Sequence, residues 1–250
     1  MKVDFDLWPY PRMAAHRGAG KLAPENTLAA FRLGASFGYR MFEFDVKLAA
    51  DGVPFLLHDS TLERTTSGAG VAGGLPWAAL SALDAGSWLD AAYAGEPLPR
   101  LDAIARYLIA NDLLADVEIK PTPGCDDETG RVVAAACERA WAGAGVPPLL
   151  TSFSEVALEA AAAQAATLPR GLLLDELPAD WLGRVERLGC VALAANHLAL
   201  TAEVVAEAHA ARLRVLCYTA NDPERVGLLL GWGVDCVITD AVDRIPVQSA

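Results

Sequence analysis

The chain has 250 residues, 53% apolar and 21% charged, which excludes disorder for its bulk, because disorder needs low hydrophobicity and dense charge. Its 20 Lys and Arg against 32 Asp and Glu leave a net charge of −12, a field that repels nucleic acid and anionic membrane surfaces. The five cysteines are scattered without a CxxC pair, which argues against a disulfide framework or a thiolate zinc site.

The opening MKVDFDLWPYPR holds two acids and two prolines and no apolar run of signal-peptide type. No later stretch reaches the roughly 18 uninterrupted apolar residues of a membrane span. A reduced, cytoplasmic protein without stable membrane association is therefore expected.

Short apolar runs then alternate with helical patterns, the mark of βαβ units. Strands are predicted at 13–18, 41–46, 114–120, 148–153, 170–175, 190–196, 214–219 and 235–240. Helices are predicted at 25–37, 101–112, 127–143, 154–166, 178–187, 201–211 and 222–231. Ser154, Thr201 and Asn221-Asp222-Pro223 mark helix starts. This repeat predicts an α/β fold of the (β/α)8 TIM-barrel type. An open doubly wound sheet usually has fewer strands and a GxGxxG first turn, which is missing here.

One segment breaks the alternation. Residues 53–58 (VPFLLH) read as a strand, yet only Ala49-Ala50-Asp51-Gly52 separates them from the second barrel strand. A parallel crossover needs a dozen or more residues, so the pair must be an antiparallel hairpin. Folding back returns His58 to the level of Glu43 and Asp45. Residues 59–100 then form an insertion after the second barrel strand, over the barrel mouth, with a short helix near 76–83. No linker divides the chain, so 1–250 is expected to be one domain.

Side chains two apart on a strand share a face. Glu43 and Asp45 therefore oppose Phe42, Phe44 and Val46, and Asp116, Glu118 and Lys120 oppose Val117 and Ile119. The apolar sets suit a helix layer, which turns the acids into the barrel near the C-terminal strand ends, where barrel enzymes build their sites. Glu43, Asp45 and Glu118 form an all-oxygen donor set suited to one hard divalent cation, Mg²⁺ or Ca²⁺. By spacing alone, a buried network neutralised by Lys47 and Lys120 fits equally well.

His16 ends the first strand and His58 ends the hairpin, so both reach the mouth that holds the acids. Such a pair can supply one general base and one general acid. Arg17 either binds a phosphate through its fork or pairs with Glu43 or Asp59. Lys120 either contacts a phosphate or neutralises Glu118. His209, between alanines on a helix, is expected to face solvent, and His197 to lie at the rim without a catalytic part. Pro24-Glu25-Asn26 is expected to cap the first helix. No GxSxG elbow occurs, and Ser152 has no evident base.

The ordered set His16-Arg17-Gly18, Pro24-Glu25-Asn26-Thr27, Glu43-x-Asp45, Asp51-Gly52, His58-Asp59 and Leu62-x-Arg64-Thr65-Thr66-x-Gly68 resembles the glycerophosphodiester phosphodiesterase family. Glu118-Ile-Lys120, Thr151-Ser152-Phe153, Tyr218-Thr219-Ala220-Asn221 and Gly233-Val234-Asp235 through Thr239-Asp240 continue the resemblance to about residue 245. The resemblance implies a TIM barrel and a divalent cation on Glu43, Asp45 and Glu118. It also implies His16 and His58 as acid and base, and a phosphate near Arg17 and Lys120. The implied reaction is hydrolysis of a small-molecule glycerophosphodiester to sn-glycerol 3-phosphate and an alcohol. Many members carry Trp where this chain has Tyr218, on the glycerol or head-group side. Oligomeric state and preferred head group are not legible.

Overall fold

A computed structural model describes residues 8–247. Nine strands are seen among the described residues: β1 (Met13–His16), β2 (Met41–Leu48), β3 (Pro54–Leu56), β4 (Leu114–Ile119), β5 (Leu149–Ser152), β6 (Arg170–Leu174), β7 (Ala192–Asn196), β8 (Arg214–Tyr218) and β9 (Cys236–Thr239). All except β3 run parallel, and β1 pairs with both β2 and β9, which closes an eight-stranded barrel. The strand β3 pairs antiparallel with the end of β2, Lys47 opposite Phe55, as the short connection of residues 49–53 requires.

Around the barrel lie α1 (Leu28–Ser36), the single-turn α2 (Trp77–Leu80), α3 (Leu101–Ala110), α4 (Asp126–Ala140), α5 (Glu155–Gln164), α6 (Trp181–Arg187), α7 (Ala202–Ala210) and α8 (Pro223–Gly231). Ser154, Thr201 and Asp222 each accept a backbone N–H from the first turn of the helix they precede. The first helix starts later than its sequence suggests. Asn26 takes a positive φ of 59°, and the cap is Thr27, whose hydroxyl accepts from Ala30 N. The Pro24-Glu25-Asn26 segment is a loop whose polar side chains serve the barrel mouth.

The alternation in β2 sorts its two faces. Phe42 and Phe44 each lie 5.4 Å, ring centre to ring centre, from Phe31 of α1, in the tilted and edge-on arrangements aromatic rings prefer. Their neighbours Glu43, Asp45 and Lys47 consequently point inward and are buried. Close approach of α1 to the turn after β1 depends on Gly34, where an added Cβ would sit 2.1 Å from Gly18 O. Gly20 does the same for the β1–α1 loop against β9, since a Cβ there would meet Asp240 O at 2.2 Å. Small residues thus set the first loop against the last strand.

The barrel interior is split along its axis. Toward the N-terminal strand ends, Tyr10, Met41, Leu149, Ala192, Leu216 and Cys236 make a buried apolar plug. The charged side chains Glu43, Glu118 and Lys120 lie toward the other end, where they line a cavity. Residues 59–100 carry a separate apolar cluster that includes Leu62, Ala72, Leu80, Ala85 and Leu98, packed with Phe55 and Leu57 of the hairpin. Asp84 ties this segment together by accepting N–H bonds from Gly86, Ser87 and Gly95 at 2.7–2.9 Å.

Candidate active site

Strand register assembles the site. His16 lies opposite Glu43, Glu43 opposite Asp116, and Asp45 opposite Glu118. The hairpin turns His58 back beside them, and Leu57 N donates to Asp45 O at 3.2 Å. A cavity of about 190 Å³ opens at this end, lined by His16, Arg17, Glu43, His58, Asp116, Glu118, Lys120, Thr151, Phe153, Leu173, Tyr218, Thr219 and Ile238. Its lining includes Leu173 and Ile238 of the apolar plug and every predicted site residue except Asp45.

Glu43, Asp45 and Glu118 bring carboxylate oxygens within 4.8 Å of one another, a grouping that can hold a metal ion. Glu43 Oε1 and Asp45 Oδ1 are buried and accept no hydrogen bond. Buried carboxylate oxygens are costly unless paired or coordinated, so a hard cation fits this donor set. Part of the charge is balanced by protein. Lys120 Nζ sits 2.7 Å from Glu118 Oε1 and 3.4 Å from Asp45 Oδ1, and Arg17 Nε sits 3.4 Å from Asp45 Oδ2. Lys47 instead donates to Lys120 O at 3.1 Å.

The three carboxyls titrate apart, as crowded like charges must. Burial and the neighbouring Asp45 and Glu118 charges hold Glu43 well above the usual range. Burial and Asp45 push Glu118 up to about 7. Burial would raise Asp45 too, but Arg17, Lys120, His58 and the Asn26 amide outweigh it and keep that carboxyl ionised. Asn26 brackets Asp45, donating from Nδ2 to Oδ2 at 2.8 Å and accepting Asp45 N at 3.1 Å.

Each mouth histidine is backed by a carboxylate. His16 Nδ1 lies 2.6 Å from Asp240 Oδ1, and His58 Nδ1 lies 2.6 Å from Asp59 Oδ1. An ionised carboxylate only accepts, so Nδ1 is the donor in both contacts, which leaves Nε2 as the atom that can take or give a proton. His16 Nε2 is 3.6 Å from Glu43 Oε2. Burial, with Arg17 and Lys120 nearby, lowers the His58 pKa despite Asp45 and Asp59, favouring the neutral ring. Asp240 is itself held by Asn221, whose Nδ2 donates to Oδ2 at 3.1 Å while its Oδ1 accepts Asp240 N at 2.8 Å.

Arg17 has a φ of 52°, a conformation non-glycine residues seldom hold unless their surroundings enforce it. The enforcement is visible: Arg17 N donates to Glu43 O at 2.8 Å, and Asn26 N donates to Arg17 O at 2.9 Å. Its guanidinium pairs with Glu25 and Asp45, where the sequence offered Glu43 or Asp59 as partners. The Tyr218 hydroxyl is buried without a hydrogen-bond partner, and its ring stands edge-on to Phe153 at 5.8 Å.

Sequence reasoning left Asp240, Asn221 and Asn26 without a part in the site, whereas it offered Glu25 as a hydrogen-bonding group near it, and Glu25 does accept from Arg17 Nη1. Asp59 was visible beside His58, but nothing in the sequence spacing ties Asp240 to a histidine 224 residues away. One expectation needs correction. His209 does not simply face solvent: its Nε2 lies 2.9 Å from Asp235 Oδ2 on the adjoining strand connection, far from the mouth in the fold. His197 stays off the cavity lining, next to Arg225, and Ser152 is buried with its hydroxyl donating to Ile119 O.

A mouth of this kind can hold an anionic group against a cation while moving protons around it, which is the chemistry a phosphate ester requires. Comparison with known proteins agrees. The glycerophosphoryl diester phosphodiesterase family matches residues 16–244, and the chain belongs to that family.

An Oleispira antarctica phosphodiesterase, solved with the product sn-glycerol-3-phosphate, superposes with a TM-score of 0.88 at 34% identity, covering 94% of this chain and 95% of that one. A glycerophosphodiester phosphodiesterase of Agrobacterium tumefaciens gives a TM-score of 0.79 at 28% identity, covering 94% of this chain and 98% of that one. The Caldanaerobacter subterraneus glycerophosphodiester phosphodiesterase is 29% identical over 233 residues, 90% of this chain and 92% of that one. Bacillus subtilis YhdW is 40% identical over 121 residues, 48% of this chain, and the match spans only 50% of its length. Among the described residues no helix is long and apolar enough to cross a membrane.

Proposed function

We propose that the chain hydrolyses glycerophosphodiesters to sn-glycerol 3-phosphate and an alcohol, by acid–base catalysis between His16 and His58. The observation that carries this reading is the pairing itself. Two histidines, each with Nδ1 on a carboxylate, line one cavity with Glu43, Glu118, Arg17 and Lys120, and Asp45 completes a buried carboxylate triad with the two glutamates. The product held by the Oleispira antarctica relative supports glycerol 3-phosphate as the released ester.

Glu43, Asp45 and Glu118 would hold one divalent cation, Mg²⁺ or Ca²⁺. When bound, it supplies charge neutralisation at the phosphate. Arg17 and Lys120 bind the remaining phosphate oxygens and offset the repulsion expected from a net charge of −12. Tyr218, with Phe153 beside it, lines the side that receives the glycerol or the head group.

Among the described residues no serine or cysteine lines the cavity. Ser152 is buried, and of the five cysteines only Cys125 is exposed, away from the cavity lining. The attacking oxygen then comes from the substrate or from water. The glycerol 2-hydroxyl lies next to the ester, and intramolecular attack gains an effective concentration of up to roughly 10⁵ M or more. One histidine takes that hydroxyl's proton as the new P–O bond forms. The other protonates the departing alcohol as the old P–O bond breaks. Water opens the resulting cyclic phosphate with the two roles exchanged.

The scattered thiols, four of them buried, support a reduced cytoplasmic setting. The test is an assay of purified protein on glycerophosphocholine, glycerophosphoethanolamine and glycerophosphoglycerol, with Mg²⁺ or Ca²⁺ and then with chelator. Release of glycerol 3-phosphate that stops on chelation is expected. No release from any of the three with cation present would overturn the proposal, and cyclic phosphate as the end product would make the protein a lyase.

A further inference from the structure

Arg64 does not line the cavity, yet it touches the partners of two groups that do. Its guanidinium forms two forks. Nε and Nη2 donate to Asp59 Oδ2 and Oδ1 at 2.6 and 3.0 Å, and Nη1 and Nη2 donate to Glu25 Oε2 and Oε1 at 2.7 and 2.8 Å. Asp59 Oδ1 is the atom that meets His58 Nδ1 at 2.6 Å. Glu25 Oε1 is the atom that accepts from Arg17 Nη1 at 2.9 Å. An unbroken chain, His58–Asp59–Arg64–Glu25–Arg17, thus joins the hairpin, the insertion and the β1–α1 loop.

The local fold prepares Arg64 for this. Leu62, Thr65 and Thr66 are buried, and the Thr66 N–H and hydroxyl both donate to Leu62 O, at 3.1 and 2.7 Å. The backbone at 64 is therefore fixed, while the side chain stays 44% exposed. An ion pair that exposed contributes little to stability. Its geometry is another matter, since only a planar guanidinium can serve two carboxylates through parallel N–H pairs. A lysine ammonium in its place would be a point charge without that fork.

We propose that Arg64 is a positioning residue that holds His58 through Asp59 and Arg17 through Glu25, tying the insertion to the mouth. This rests on the acid–base reading of His58 and the phosphate reading of Arg17 given above. The experiment measures kcat and KM for glycerophosphocholine on the full chain with saturating Mg²⁺, for wild type, Arg64→Ala, Arg64→Lys, Asp59→Ala and the Asp59→Ala/Arg64→Ala double variant. Thermal unfolding is followed for each.

Misplacing His58 predicts a kcat loss of about 10²-fold in Arg64→Ala, and loosening Arg17 predicts a several-fold rise in KM. Arg64→Lys should recover about tenfold of the lost kcat without reaching wild type, because charge returns and the fork does not. Because Arg64 reaches His58 only through Asp59, the double variant should match Asp59→Ala in kcat within about twofold. Folded Arg64→Ala with kcat within about threefold of wild type, or fully additive losses in the double variant, would overturn the proposal. Should Arg64→Ala not fold, Arg64→Lys decides, and wild-type kcat and KM there would overturn it equally. A wild-type protein that cleaves no glycerophosphodiester would instead defeat the functional reading on which the relay stands.

Discussion

His16 Nδ1 meets Asp240 Oδ1 at 2.6 Å across the seam where β1 closes the barrel against β9. The contact sets which nitrogen of His16 carries the proton, and Asn221 in turn fixes Asp240 from the far side. Asp240→Asn keeps the shape but can present an amide N–H to Nδ1, which inverts the tautomer. kcat should fall by about 10²–10⁴-fold, the range for a positioned acid or base, with little change in thermal unfolding. Steady-state kinetics that leave kcat near wild type would remove His16 from the proton-transfer path.

Replacing either mouth histidine tests the pair directly. His16→Ala and His58→Ala should each lower kcat by about 10²–10⁴-fold. His209→Ala should leave kcat unchanged, while losing its contact to Asp235 and about 1 kcal/mol of stability. A larger catalytic loss from His209→Ala than from His16→Ala would put the site at the wrong place in the barrel.

Cation binding should be visible without turnover. Glu43 Oε1 and Asp45 Oδ1, which accept no hydrogen bond, would be satisfied by a cation only in the folded state. At about 100 times its Kd a divalent ion should therefore add about 2.7 kcal/mol to unfolding stability. Asp45→Asn should abolish that increment in differential scanning calorimetry, whereas His209→Ala should retain it. It can also leave the metal-free barrel as stable as wild type, because a buried charge is removed.

Several depressed carboxyls contribute to the acid limb of stability, Asp59 and Asp240 among them. Hydrogen bonds from Arg64 and His58 hold Asp59 below its ordinary range. Burial would raise Asp240, but His16, Asn221 and Arg17 outweigh it and lower that carboxyl as well. A carboxyl whose folded pKa is depressed contributes stability that is present above its unfolded pKa, about 3.9, and lost as pH falls through the folded value. Unfolding temperature should thus drop below about pH 4, and less steeply in Asp240→Asn. Equal slopes in the two proteins would show that the Asp240 contact contributes nothing to this limb.

The route of phosphoryl transfer can be read from one substrate atom. A glycerophosphodiester analogue lacking only the 2-hydroxyl should bind with similar affinity and react orders of magnitude more slowly. Comparable turnover would mean that water attacks the phosphorus directly.

Local patterns alone determined the barrel staves, the hairpin after the second stave and the inward acids, since alternation within a strand needs no partner to be read. The resemblance carried in Glu43-x-Asp45 and Glu118-Ile-Lys120 favoured the cation reading over the neutralised network that spacing had left equal to it, and the hairpin arithmetic put His58 at the level where its backbone neighbour Leu57 bonds Asp45. Helix starts were legible where a single capping side chain decides them, as at Ser154 and Thr201. The first helix was misjudged because the mouth, through Asn26 on Asp45 and Glu25 on Arg17, recruits side chains that read locally as a cap. Tertiary structure alone decided the partners: Asp240 for His16, Asp235 for His209, and Arg64 between Asp59 and Glu25. The physical reason is that a hydrogen bond of 2.6 Å depends on where strands close and loops land, and small residues such as Gly20 and Gly34 set those approaches without announcing a contact.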